Sequence, residues 1–290
     1  HCIIKTVSVD GMSKKPVCFS DALILSTSIN HARDLMYQPS NTLTPKAFCQ
    51  QFKKQFKNEK IQYKIHTQTQ LKKMNMNGIL SVAKGSLEAP YLIEAHYKGN
   101  TKKKIDTFLI GKGVTFDAGG ISIKPSRGMA SMKADMGGSA VAMGTFESLV
   151  KQKSNRNISL LIPLVENLPS GSALKPGDVI VSKNKQKIEI INTDAEGRLL
   201  LADCLAYASE QKPNEIIDIA TLTGACSIAL GDEASAILGT SQNIQKLIKI
   251  SNQTGEKLWE LPLYDGYLAY LKSDVADIKN AHENRLAGTS

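Results

Sequence analysis

The sequence predicts an α/β fold with three α/β/α layers around a central, largely parallel mixed sheet. Segments with strand and helix patterns alternate from residue 91 to residue 222, as they do when helices cover both faces of such a sheet. Several of the predicted strands are almost continuously apolar, which is typical of strands buried on both faces. The length of 290 residues and the hydrophobic content of 42% allow a sizeable core.

The N-terminal part of the chain is predicted to supply two helices and a strand before the alternation begins. Thr44 followed by Pro45 is the pattern of a helix N-cap and a first helical residue. The predicted elements are, in order, a helix over 21–37, a helix from Pro45 to about Phe56, a strand over 61–67, and a small helix and loop over 70–90.

The rest of the chain is predicted to form the sheet and the helices that cover it. The lysine-rich segment 183–187 separates two short alternating segments, which indicates a hairpin over 178–192. Gly255 follows an amphipathic segment and marks a helix end. Predicted strands cover 91–98, 106–114, 158–167 and 215–222, and predicted helices cover 139–152, 197–211 and 241–255.

The chain is basic, with 36 lysines and arginines against 27 acidic residues and a net charge of +9. The lysines cluster in three runs, at 53–60, 98–104 and 183–187. Solvated loops are the favoured interpretation of these runs, and a nucleic-acid surface is the alternative. Phe56 is the one aromatic residue of the sequence within these three runs, which is fewer than a single-strand binder would need.

The cysteine pattern and the apolar runs restrict the class of protein further. The five cysteines are scattered, odd in number and without a CxxC pair, which favours reduced thiols in a cytoplasmic protein and argues against a cysteine-built zinc site. No apolar run reaches the length of about 18 residues that a membrane span needs, so no membrane association is expected.

Acidic side chains gather where predicted strands end. Asp194 and Glu196 are two apart in extended chain, which puts both on one face, and Gly197 then allows a turn into the next helix. Asp117 and Asp135 lie in loops after neighbouring elements. Four carboxylates in a partly dry site repel one another, and divalent metal neutralises them most simply, with two ions sharing bridging carboxylates.

The ligand chemistry of this cluster leaves alternatives open. No histidine lies in these segments, so an oxygen-rich site suits Mg²⁺ or Mn²⁺ as readily as Zn²⁺. Lys112 could pair with carboxylates as an ammonium, or ligate a metal as a neutral amine. If the cluster does not bind metal, Asp135 or Asp194 could instead cap a helix, and Lys124 and Arg198 could be surface charges.

Four blocks of the sequence carry a family resemblance. They read GKGVTFDAGGISIKP, MKADMGGSA, NTDAEGRLLLAD and DIATLTGA, and they begin at residues 111, 132, 192 and 218. In their order and spacing they resemble the leucyl aminopeptidase family, the two-metal cytosolic aminopeptidases, and NTDAEGRL is the signature of that family. The resemblance covers roughly residues 20–290.

The resemblance implies a role for each matching residue. One metal ion would be held by Asp117, Asp194 and Glu196, with the main-chain carbonyl of Asp194, and the other by Lys112, Asp117, Asp135 and Glu196. Lys124 would polarise the scissile carbonyl and stabilise the tetrahedral intermediate, and Arg198 would hold a bicarbonate ion that acts as general base. The pocket for the first side chain of the substrate would be lined by Met132, Thr221, Leu222 and Gly224.

The resemblance also implies cofactors, substrates and assembly. Both ions would be Zn²⁺ or Mn²⁺, with Mg²⁺ or Co²⁺ possible, and the substrates would be short peptides with a free N-terminus and Leu or another apolar first residue. Family members form homo-hexamers, as dimers of trimers. A DNA-binding accessory protein and a catalytically silent fragment are the alternatives. A two-metal phosphohydrolase would also need clustered carboxylates, but Lys112 and the segment TLTG favour a peptide.

The resemblance divides the chain into two parts. Residues 1–20 are expected to be a remnant of an N-terminal domain or a linker, and residues 21–290 the catalytic domain, with its C-terminal part missing. We therefore expect a chain that is truncated at both ends relative to the family.

Overall fold

The computed structural model describes residues 19–282 and Gly288, and its centre is a mixed sheet between two layers of helices. The helices are α1 Phe19–Tyr37, α2 Pro45–Gln55, α3 Gln68–Lys73, α4 Asn77–Val82, α5 Gly137–Lys151, α6 Gly197–Glu210, α7 Gly224–Leu230 and α8 Ser241–Thr254. Short 3₁₀ helices cover Ala83–Gly85, Met129–Ala134 and Asp265–Leu271. The strands are β1 Gln62–His66, β2 Tyr91–Tyr97, β3 Thr107–Gly111, β4 Gly113–Asp117, β5 Ile158–Asn167, β6 Val179–Val181, β7 Lys187–Glu189, β8 Glu215–Ile219, β9 Ser235–Ile237, β10 Leu258–Glu260 and β11 Ile278–Lys279.

Strand β5 is the centre of the main sheet. Within the described residues this sheet has six strands in the order β1, β2, β5, β3, β8, and β4 also pairs with β5. β3 and β4 run parallel to β5, β8 runs parallel to β3, and β1 and β2 are antiparallel. β3 pairs with the first half of β5 and β4 with the second half, where Asp117 lies opposite Asn167. The predicted mixed, largely parallel sheet is confirmed.

The two faces of the sheet bury separate apolar clusters. Alternate side chains of β5, beginning with Leu160 and Ile162, face α1, α2 and α5, whereas Leu161 and Val165 face α4 and α6. This alternation follows from the period of two along a strand, and both sets are fully buried. A strand that is buried on both faces has a continuous apolar sequence, as β5 does. The predicted α/β/α layering is therefore confirmed.

The predicted single strand over 106–114 is wrong, because the chain breaks at Lys112 into β3 and β4. The Lys112 amide donates to the Ile219 carbonyl (3.0 Å) and its carbonyl accepts from the Ser139 amide (2.8 Å), so the main chain stays hydrogen-bonded across the break. Gly111 and Gly113 flank the break. A Cβ on Gly111 would lie 2.5 Å from the Ser139 Cα, so only glycine allows this close approach.

The other predicted elements are present with small shifts in their bounds. The side chain of Thr44 caps α2 by accepting from the Ala47 amide (3.3 Å), and α8 ends at Gly255, which has a left-handed φ of 80°. β6 and β7 form the predicted hairpin, and β11 extends it to three strands. The sequence did not predict α7, β9, β10 or the 3₁₀ helices.

Three further expectations concern cysteines, membrane spans and the N-terminal segment. Cys49, Cys204 and Cys226 carry free thiols, and the first two are buried. Among the described helices, none combines the length and apolar character of a membrane span. Cys2, Cys18 and residues 1–18 of the predicted N-terminal segment lie outside the described residues.

Replacement of Gly138 by alanine is expected to destabilise the fold. Glycine to alanine inside a helix usually stabilises by about 1 kcal/mol. At Gly138, in the first turn of α5, a Cβ would lie 2.0 Å from the Ile219 carbonyl oxygen, so backbone has to move. We expect Gly138→Ala to lower the free energy of unfolding by about 1–3 kcal/mol in urea titrations.

Gly171 provides the matched control, because a Cβ there would meet nothing within 4 Å. Gly171→Ala should change the unfolding free energy by less than about 0.5 kcal/mol. A Gly138→Ala variant as stable as the unmodified protein would contradict the close packing of α5 on β8.

Candidate metal centre

The predicted carboxylates converge at one edge of the sheet, beyond the carboxyl ends of its parallel strands. Asp117 ends β4, Asp135 lies just before α5, and Glu196 immediately precedes α6. One oxygen from each of these three buried side chains lies within 4.8 Å of the other two. Asp194 joins them through Lys124, whose ammonium pairs with both Asp194 and Asp117. This edge therefore gathers the side chains that the sequence analysis grouped.

Lys112 lies at the centre of the cluster, with 2% of its surface exposed. Its Nζ is 2.8 Å from Asp135 Oδ1 and 2.9 Å from Glu196 Oε1, and it donates to the Thr221 carbonyl (2.7 Å). Burial acts to lower the pKa of Lys112, but attraction by Glu196 and Asp135 outweighs it, and the pKa is raised. The short distances to the two carboxylates and the raised pKa both agree with ion pairing of Lys112.

Lys124 joins the other two carboxylates. Its Nζ lies 2.9 Å from Asp117 Oδ2 and 2.5 Å from Asp194 Oδ1. The second oxygen of Asp117 accepts from the Gly119 amide (2.9 Å) and from Asn167 Nδ2 (2.8 Å). The Lys124 side chain remains 20% exposed, whereas that of Asp117 is almost fully buried.

Several buried carboxylate oxygens of the cluster lack hydrogen-bond donors. Within the described residues, Asp135 Oδ2 has no partner. Glu196 Oε1 and Asp194 Oδ1 each lie within ion-pairing distance of a lysine, but neither contact has the directions of a hydrogen bond. Asp135 Oδ2 is therefore the acceptor of the cluster without any nearby donor in the described residues. A buried acceptor in this state costs free energy unless a cation contacts it.

The charges of the cluster do not balance. Four carboxylates are paired with only two ammonium groups, those of Lys112 and Lys124, which leaves an excess of negative charge. Burial is the largest influence on Asp135, Asp194 and Glu196, and it raises the pKa of each. Bound cations would relieve this repulsion, so the donor set fits divalent metal ions.

The alternative that these residues serve only as helix caps and surface charges is wrong for Asp135, Asp194 and Lys124. Neither Asp135 nor Asp194 caps a helix, because α5 and α6 begin without a side-chain cap. Lys124 is not a free surface charge, since it makes two ion pairs within the cluster. Arg198 is partly buried in the first turn of α6.

Asn280 fixes Arg198 and the loop in front of α6. The Arg198 Nη1 donates to the Asn280 carbonyl (2.8 Å). The Asn280 side chain donates to the Asn192 carbonyl (2.7 Å) and accepts from the Ile191 amide (2.8 Å). Burial lowers the pKa of Arg198, although Glu196 acts in the opposite direction. The segment that carries Asp194 and Glu196 is thereby tied to β11.

Three positioning residues, Asn167, Thr193 and Asn280, are not predicted from the sequence. Asn167 donates to Asp117 Oδ1 and to the Thr193 carbonyl (3.0 Å). Thr193 donates to the Gly119 carbonyl (2.6 Å) and accepts from the Ser122 amide (2.8 Å). Asn167 could have been found, since it is a polar residue that ends an apolar strand. The sequence around Asn280 carries no comparable signal.

The four residues predicted to line a substrate pocket differ in how directly they contact this cluster. Thr221 Oγ1 donates to Asp135 Oδ1 (2.8 Å). Leu222 is half-exposed, and its Cδ1 lies beside Gly197, 2.9 Å from where a Cβ would be. Met132 accepts from the Asp135 amide (3.2 Å) through its carbonyl. Gly224 begins α7 with open space beside it.

Comparison with solved structures gives close matches to the fold. A cytosol aminopeptidase from Coxiella burnetii superimposes with a TM-score of 0.87 at 40% identity, covering 93% of this chain and 58% of that one. The bottromycin maturation enzyme BotP, solved in complex with Mn, gives a TM-score of 0.85 at 34% identity, covering 90% of this chain and 58% of that one.

Comparison of sequences agrees. A probable cytosol aminopeptidase of Geobacter sp. (strain M21) is 47% identical over 251 residues, which are 86% of this chain and 51% of that protein. The corresponding protein of Nitrosococcus oceani is 41% identical over 289 residues, 98% of this chain and 58% of that protein. The chain thus spans about half the length of the curated relatives that it matches. The sequence pattern described as "Cytosol aminopeptidase family, catalytic domain" matches residues 30–290, and the chain belongs to this family.

Proposed function

We propose that this chain carries the active site of a metal-dependent aminopeptidase that removes the N-terminal residue from short peptides. The observation that supports this most strongly is the buried cluster of Asp117, Asp135 and Glu196, with its excess negative charge and unpartnered acceptors, at the carboxyl edge of the sheet. Family membership supports the same reaction class, since the matched relatives are named cytosol aminopeptidases. The proposed preference is for Leu and other apolar first residues.

The carboxylates would hold two divalent ions, Zn²⁺ or Mn²⁺, with Mg²⁺ or Co²⁺ as substitutes. Asp117, Asp194 and Glu196 would ligate one ion, and Lys112, Asp117, Asp135 and Glu196 the other, so that Asp117 and Glu196 bridge. Such ions, when bound, polarise a carbonyl and lower the pKa of water toward neutrality. The raised pKa of Lys112 arises from the negative charge around it, so its use as an amine ligand requires cations to replace that charge first.

Lys124 would stabilise the negative charge that develops on the scissile carbonyl oxygen. Its ammonium is already fixed by Asp117 and Asp194, and its side chain is partly exposed, so a substrate can approach it. A positive charge held in place in advance needs little reorganisation during the reaction, and such groups typically contribute a few kcal/mol.

Arg198 would hold a bicarbonate ion that acts as the general base. A guanidinium has five N–H donors, and in the described residues one of them is used, by the Asn280 carbonyl. The remaining donors can bind an anion in a bidentate manner. The tie to Asn280 would fix the direction in which the guanidinium presents the anion.

Selection of the substrate would depend on the segment after β8. Met132, Thr221, Leu222 and Gly224 would surround the first side chain, and open space at Gly224 and the exposed Leu222 favour an apolar group. For the whole protein we propose residues 21–290 as the catalytic domain, residues 1–20 as a remnant of an N-terminal domain or a linker, a homo-hexamer built as a dimer of trimers, and a cytoplasmic location.

Hydrolysis of leucine p-nitroanilide, compared with its N-acetyl analogue, tests the proposed reaction. With Zn²⁺ or Mn²⁺ present, we expect the protein to hydrolyse the free amine and leave the acetylated compound intact, because the free α-amine would ligate metal. Release of nitroaniline is followed by absorbance, with a chelator-treated sample as the control. Equal rates on both compounds would exclude an aminopeptidase.

Replacement of Glu196 is expected to reduce the metal content. In Glu196→Gln one bridging charge is lost, so elemental analysis should give fewer ions per chain than the roughly two of the unmodified protein. Arg198→Ala is the matched comparison. It should keep its metal and lose turnover roughly a hundredfold, the usual scale for a general base. Unchanged metal content in Glu196→Gln, or metal loss in Arg198→Ala, would contradict these assignments.

A further inference from the structure

Two of the three lysine runs, which are far apart in sequence, meet around one cavity. The cavity has a volume of about 430 Å³. Its lining includes Lys60 from the first run and Lys98, Lys102 and Lys103 from the second. Ile158 also lines it, at the opposite end of β5 from Asn167. Since β5 has ten residues, the cavity is roughly 30 Å from the candidate metal centre.

The positive charge of this lysine cavity is unbalanced. In the described part of the chain, none of its four lysines forms an ion pair with a carboxylate, and no acidic residue lines the cavity. Asp106 is the carboxylate beside the second run, and it attracts Lys102 while accepting from the Asn157 amide (2.8 Å) and from Asn100 Nδ2 (3.1 Å). One carboxylate does not balance four lysines, so the excess is positive. Like charges around a concave space repel one another and concentrate anions there.

The segment that carries three of the lysines is held in a fixed shape. The buried side chain of Asn157 donates to the carbonyls of Lys102 (2.8 Å) and Lys104 (3.1 Å) and to Asn100 Oδ1 (3.0 Å). It also accepts from the Asn100 amide (3.1 Å). One side chain thus organises the whole loop, so the lysines extend from a rigid base, and less entropy is lost when a ligand binds.

The rest of the lining combines apolar and polar side chains. The apolar part consists of Ile61, Tyr97, Ile105 and Ile158 with the ring of His96, and the polar part of Gln62, Asn157 and Ser159. His96 is fixed by Ser159 Oγ at Nδ1 (2.8 Å) and by Glu94 at Nε2 (3.1 Å). A volume of this size is in the range of small-molecule sites, and the mixture of ammonium groups and apolar surface suits a molecule with a charged end and an apolar body.

We propose that the lysine cavity binds a small organic phosphate of about the size of a nucleoside monophosphate. Lysine ammonium groups bind phosphate as point charges, and four exposed lysines line the cavity. The apolar lining would contact the organic part. The proposal does not depend on peptide hydrolysis, because the two sites lie at opposite ends of β5.

Calorimetric titration with adenosine monophosphate tests the proposal, in about 150 mM salt so that general charge attraction is screened. Adenosine and inorganic phosphate are the comparison ligands. We expect the monophosphate to bind, and to bind more tightly than either fragment. In the double variant Lys102→Gln/Lys103→Gln, affinity should fall roughly tenfold or more, since two charge-assisted contacts are lost.

The double variant Lys185→Gln/Lys187→Gln is the matched control. It removes the same charge from the third lysine run, which does not line the cavity, so it should leave the affinity unchanged. Equal losses in the two variants would reduce the effect to net charge and overturn the proposal. So would the absence of binding, binding that Lys102→Gln/Lys103→Gln does not change, or inorganic phosphate binding as tightly as the monophosphate.

Discussion

The ammonium of Lys112 lies between Asp135 and Glu196 in a space almost closed to solvent, and the other groups at the carboxyl edge are arranged around this contact. One lysine does not neutralise its surroundings, because Asp117 and Asp194 add two further carboxylates and Lys124 only one positive charge. The fold therefore carries a buried excess of negative charge. Such an arrangement costs free energy in a protein without bound cations and becomes favourable when divalent ions bind.

The backbone around the cluster is built for close approach. β3 ends at Gly111 so that Lys112 leaves the strand pairing, and Gly197 adjoins its side chain, where a Cβ would lie 2.7 Å from the Lys112 Cε. Two sets of hydrogen bonds fix the positions of the carboxylates. Asn167 donates to Asp117, and Asn280 bonds to the loop before α6. Rigid support of this kind keeps like charges together that would otherwise separate. The cluster and the sheet edge thus form one structural unit.

Much of this arrangement could be predicted from local patterns. Apolar periodicity is enough to predict the main helices and the central strands, and the place of Asp117 follows from the geometry of parallel strands. Asp135 and Glu196 end no parallel strand, and loops bring them to Asp117. The break at Lys112 could not be predicted, since a strand broken by tertiary contacts has the same apolar sequence as a continuous one. Asn280 also cannot be predicted, because its role depends on hydrogen bonds to residues 82 or more positions away. The short elements between residues 224 and 271 lack the long periodic patterns on which such predictions depend.

Anomalous diffraction from crystals of the protein grown with Mn²⁺ would show whether the buried carboxylates hold metal, since it locates each ion against the side chains. We expect two manganese peaks near Asp117 and Glu196, one beside Asp194 and the other beside Asp135 and Lys112, with the unpartnered Asp135 Oδ2 in contact with metal. Absence of manganese from this cluster, with Lys112 still paired to Asp135 and Glu196, would show that the lysine alone satisfies the buried charge and that the cluster is not a metal site.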